Sequence, residues 1–161
     1  MVRPRIAARR RRLAQGLVVA FCALTPLFLV AVTLLGALVG EPWFYLSDGE
    51  WAALEFLRDE GRPDAVVLCA PQMGLFVPAW AGQPVIYGHP FETVDAERRR
   101  VQVEAYWAGE MSPAEREVFL QENRVGYVLV GWRELEIGGW RMEEEPVFEA
   151  GDVRVYEVNG Q

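Results

Sequence analysis

The chain has 161 residues, with 16 basic and 23 acidic side chains, one His, a net charge of −7 and 52% hydrophobic residues. That length holds one domain and an appendage but not two full domains, and the apolar fraction excludes a wholly disordered chain. A pI near 4.8 excludes the basic surface of a nucleic-acid protein.

The charge is divided along the chain. Residues 1–40 carry six Arg (Arg3, Arg5, Arg9, Arg10, Arg11 and Arg12) and no acid. The other ten Arg and all 23 acids fall in residues 41–161, which stand at −13. Residues 17–39, LVVAFCALTPLFLVAVTLLGALV, are uncharged throughout. As a helix this run is about 35 Å long, enough to cross a hydrocarbon core of about 30 Å. Pro26 removes one backbone donor and predicts a kink, which membrane helices tolerate. A cleaved signal peptide is the rival reading, but its apolar region is shorter, about 7–15 residues. A cut after Gly40 or Ala37 also places a Leu (Leu38 or Leu35) at the third position before the break. The Arg cluster is expected to stay on the cytoplasmic side. The sequence therefore predicts a cytoplasmic Arg-rich segment at 1–12, a single transmembrane helix at 13–40 and an extracytoplasmic domain at 41–161. Trp43, Phe44 and Tyr45 fit an interfacial aromatic belt. Cys22 and Cys69 lie in different segments, so no disulfide and no thiol metal site is expected.

Beyond the anchor, Ser47 and Glu50 have capping-box spacing. Trp51, Ala53, Leu54, Phe56 and Leu57 follow as the apolar face of a helix that ends near Gly61 and Pro63. Residues 65–69 are a continuous apolar run, as in a strand buried on both faces. Residues 70–82 hold at most one helical turn before Pro78, and residues 84–88 read as a second short strand. Thr93 is a candidate N-cap for a helix reaching about Ala108. Ser112, Pro113 and Glu115 form another capping box, with Pro at the first helical position. Residues 127–130 are a third buried strand. Residues 147–149 and 153–158 make a closing hairpin around Gly151 and Asp152. Helices alternating with strands predict an α/β fold: a small three-layer domain with a mainly parallel sheet and a C-terminal β-hairpin.

Catalytic chemistry is sparse. Ser47 and Ser112 are the only serines and both read as caps, and the one His leaves no multi-His metal site. No metal, no cofactor and no catalytic residue is assigned. The run Glu143, Glu144, Glu145 reads as solvated charge. Gly88-His89-Pro90-Phe91-Glu92-Thr93 follows a strand and precedes a helix, where α/β domains place ligands. There His89 and Glu92 can pair as imidazole and carboxylate, or His89 and Thr93 can simply hold a tight turn. Trp80, Tyr87, Trp107, Trp132 and Trp140 form an aromatic set that can fill the core, stack on sugar rings or rest at a lipid interface. Candidate ligand-binding residues are His89, Glu92, Thr93, Gln72, Trp80 and Trp132.

The stretch 69–93, CAPQMGLFVPAWAGQPVIYGHPFET, resembles the C-terminal extracytoplasmic segment of bacterial multi-span glycosyltransferase-like membrane proteins of the dolichyl-phosphate-mannose mannosyltransferase type. Val128-Leu129-Val130-Gly131 followed by Arg133-Glu134 matches a later step of the same segment, and the likeness covers residues 45–158. Such transferases resemble one another in having roughly ten spans and a catalytic acid in the first exterior loop; this sequence has one span and no such loop. The resemblance therefore implies the tail of that architecture, as a fragment or a stand-alone relative, in an accessory role. Its implied partners are the lipid bilayer, a multi-span membrane protein or a polyprenyl-phosphate sugar, with no nucleic acid. The other readings are an independent cell-surface enzyme using His89 and Glu92, and a purely structural anchored domain.

Overall fold

A computed structural model describes residues 3–39, 45–138, 142 and 144–158. The chain divides into two compact units, residues 1–45 and 46–161. The first is built on α1, Arg3–Val39, which continues through Pro26. Within it the most apolar 18-residue window of Gln15–Leu38 has a mean hydropathy of 2.6, and none of that window is buried. By length and composition this helix can cross a membrane. The polar side chain of Thr33 donates back to the carbonyl of Leu29 at 2.9 Å, so its hydroxyl is satisfied without water. Trp43 and Phe44 lie outside the described residues; Tyr45 is exposed.

The second unit opens with α2, Asp48–Glu60. Its capping box forms as the spacing requires. The Glu50 N–H donates to Ser47 Oγ at 3.2 Å, and the Ser47 N–H donates to the Glu50 carboxylate at 2.7 Å. Ala53, Leu54 and Leu57 are buried. Trp51, expected on that face, is instead exposed, because the buried stripe is centred on positions 50, 53, 54 and 57.

Four strands follow: β1 Val66–Leu68, β2 Val125–Val130, β3 Phe148–Ala150 and β4 Val153–Glu157. Their order in the sheet is β1-β2-β4-β3. β1 pairs parallel with β2, whereas β2–β4 and β3–β4 are antiparallel. The sheet is thus mixed and mostly antiparallel, not mainly parallel. Two physical causes account for the difference. The C-terminal hairpin forms around Gly151, whose φ of +64° suits a tight turn, and β4 then adds beside β2. The expected strand at 84–88 shrinks to one parallel bridge, Val67 to Val85. There the turn Met73–Leu75 lies against Tyr87 and Gly88, so close that a Cβ on Gly74 would sit 2.1 Å from the Tyr87 carbonyl oxygen. Gly74→Ala is accordingly expected to cost about 2–3 kcal/mol through backbone displacement, read as a lower urea midpoint for the full chain in detergent.

The two faces of the sheet are apolar in alternation, as strand geometry requires. Val67, Tyr127, Leu129, Val153 and Val155 pack with Leu54 and Leu57 of α2. Leu68, Val128, Val130 and Tyr156 pack with Val103, Tyr106 and Trp107 of α3, Ala96–Ala108, and with Phe119 of α4, Pro113–Glu122. Ser112 caps α4 as expected: its Oγ accepts from the Glu115 N–H at 3.4 Å, and its N–H donates to the Glu115 carboxylate at 2.8 Å. α3 begins at Ala96 with Asp95 at its N-cap, two residues later than Thr93 would set it. A last short helix, α5, spans Trp132–Ile137.

Candidate functional site

The parallel strands fix where a site belongs. The chain leaves β1 towards the bridge at Val85 on one side, then returns as β2 on the other. Between β1 and β2 the connections diverge, and α/β folds hold ligands at the carboxyl ends of such strands. Cys69 to Gln72 follow β1 there, and Gly131 to Glu134 follow β2.

That crevice is filled by the protein's own charges. Glu134 is 1% exposed. One of its carboxylate oxygens accepts from the Ala70 N–H at 2.7 Å and the other from the Gly131 N–H at 2.8 Å, joining the turns after the two strands. Next to it Arg133 donates to Glu50 at 2.5 Å, both side chains being buried. The Arg133 guanidinium also lies over the rings of Trp132, at 4.7 Å, and Phe76, at 5.8 Å. α2 contributes Glu50 because the same residue closes the Ser47 capping box.

Two buried acids therefore stand close together, and Arg133 pairs with one of them, Glu50. Burial pushes the Glu134 carboxyl up to about 7; the Ala70 and Gly131 N–H groups oppose the shift and the Glu50 charge adds to it. Cys69 lies beside them. Burial first, then the Glu134 charge, push its thiol well above the ordinary range, so it is held protonated and is a poor nucleophile.

Of the sequence candidates, Gln72 and Trp132 stand at this end of the sheet, each half-buried. The Gln72 Oε1 is buried without a hydrogen-bond partner. Trp80 lies in the five-residue π-type turn Val77–Ala81 and is exposed, with its ring 4.9 Å from that of Trp51. Tyr87 and Trp107 are core residues. Trp140 and Glu143 lie outside the described residues.

His89 and Glu92 are not brought together as an acid–base pair. The His89 Nδ1 accepts from the Phe91 N–H at 3.3 Å, and the Glu92 N–H donates to the His89 carbonyl at 3.2 Å. Thr93 does not cap α3. Its hydroxyl accepts from the N–H groups of Gly88 and His89 at 3.3 Å each, and its own N–H donates to the His89 carbonyl at 3.0 Å. The loop residues thus close a turn. Thr93→Val is expected to cost about 1 kcal/mol and the exposed Glu92→Ala under about 0.5 kcal/mol, both read by urea unfolding.

Glu50, Arg133 and Glu134 had no place among the sequence candidates. The available signal was an Arg-Glu pair directly after a fully apolar strand, where a charge has to be paired or protonated. The chain matches no model of a known protein family, and no curated protein matches it.

Proposed function

We propose that this protein is a single-pass membrane protein whose α/β domain faces the extracytoplasmic side and acts as an accessory unit. In this reading it packs on a multi-span membrane partner of the polyprenyl-phosphate-sugar glycosyltransferase type, whose tail the sequence resembles, and does not catalyse transfer alone. The observation that carries the anchor is the helix Gln15–Leu38, 24 residues long, whose most apolar 18-residue window has no buried residue. Such a surface is stable only in lipid or under a partner. The six Arg before it favour a cytoplasmic N-terminus. The accessory role draws on the crevice between β1 and β2, occupied by Glu134 and the Glu50–Arg133 pair. We read the domain as three layers, with α2 on one sheet face and α3 with α4 on the other.

The full chain is expected in the membrane pellet after carbonate washing and in the supernatant once residues 13–40 are deleted. Added protease is expected to degrade the domain in wall-stripped intact cells. Recovery of the full chain in the aqueous fraction overturns the anchor, and protection from the protease overturns the orientation. Failure to co-purify any multi-span transferase from mild detergent, with the chain itself recovered from membranes, overturns the accessory role.

A further inference from the structure

We infer that the Trp51–Trp80 face, at the carboxyl end of the parallel strands, docks into the neutral headgroup layer of the bilayer; the inference rests on reading α1 as a membrane span. Trp51 comes from the first turn of α2 and Trp80 from the turn Val77–Ala81. Their rings meet edge to face at 4.9 Å and 67°, with relative exposures of 38% and 52%. An exposed pair of indoles is a large apolar area to leave in water. An indole also carries an N–H, so it suits the boundary where one side is hydrocarbon and the other is wet.

The tether selects lipid as the occupant. α1 ends at Val39 and the domain begins at Leu46. Seven peptide links between them span at most about 25 Å. Trp51 follows five residues later, so a bilayer crossed by α1 is always within reach of this face. A surface linked this way is presented at an effective concentration that a diffusing partner does not match.

Charge then selects the headgroup. Glu50, beside Trp51, is neutralised by Arg133. Asp48 and Glu55, on the same helix, are exposed. Their carboxylates repel anionic headgroups and leave zwitterionic ones as the favoured surface.

The test uses the full chain in phosphatidylcholine vesicles whose acyl chains carry bromine near the headgroup, a short-range quencher of indole emission. Bromolipid is expected to quench the wild type, with about half of the quenched emission lost in the Trp51→Phe, Trp80→Phe double variant. Exchanging half of the lipid for phosphatidylglycerol is expected to lower the wild-type quenching. Equal quenching in wild type and double variant overturns the proposal while leaving the anchor standing, because Trp43 lies only four residues past α1. No quenching, with the chain in the aqueous fraction, removes the anchor as well. An independent reading keeps both Trp in place: Ala79→Cys in a Cys22→Ala background, labelled with a polarity-sensitive dye. Its emission is expected to shift to the blue on vesicles, and an unshifted spectrum overturns the proposal.

Discussion

Arg133→Met lowers the stability of the domain by about 3–5 kcal/mol, the usual cost of removing one partner from a buried ion pair. The reason is the charge count. Glu50 and Arg133 are 1% and 2% exposed, and the guanidinium lies 2.5 Å from the Glu50 carboxylate. With Met in its place, the shape of the stem is nearly kept and the buried Glu50 carboxylate loses this countercharge. Glu50→Gln in the same chain is expected to recover part of the loss, since an amide oxygen still accepts from the Ser47 N–H in the capping box and one charge is gone. The measurement is a double-mutant cycle in urea on the full chain in detergent. Additive losses in the double variant would show that the pair carries no special coupling.

The second large effect is a dependence on pH. The Glu134 carboxyl, ordinarily near 4.5, is pushed up to about 7 in the folded domain. A raised folded value means that folding favours the protonated form. The contribution is fully present below about 4.5 and is lost as pH rises through about 7. At about 1.4 kcal/mol per unit, the loss across that window is about 3 kcal/mol. Glu134→Gln is expected to flatten the profile between those limits. It also costs about 1–3 kcal/mol at the acid end, because an amide cannot accept from both Ala70 and Gly131 and turns an N–H towards one of them. A profile that keeps its slope in Glu134→Gln would assign the proton to another group.

Local chemistry made much of this fold legible. The spacing of Ser47 with Glu50 and of Ser112 with Glu115 announced two helix starts, because a cap is a contact within four residues. Gly151 and Asp152 marked the hairpin turn. What was hidden depends on partners far away in the chain. Whether residues 84–88 pair as a strand is decided by Gly74 and its neighbours crossing that edge. Whether Thr93 caps α3 is decided by two N–H groups upstream, at Gly88 and His89, that compete for its hydroxyl. The cluster at the sheet end was hidden for the same reason: Glu50 was visible as a cap, Arg133 and Glu134 as a dipeptide after β2, and their meeting needs the tertiary fold. The likeness that drew attention to residues 69–93 covers the turn after β1, yet the residues buried there include an acid from α2 and a pair from α5.

The bond from Ala70 to Glu134 joins residues 64 apart in sequence. Closing so long a loop is entropically costly, and pairs of this kind form after local helices and the hairpin are in place. The Glu134 latch is therefore expected to form on the downhill side of the folding barrier. Weakening it is expected to leave the refolding rate almost unchanged and to speed unfolding, so the latch sets the lifetime of the native domain more than the time needed to reach it.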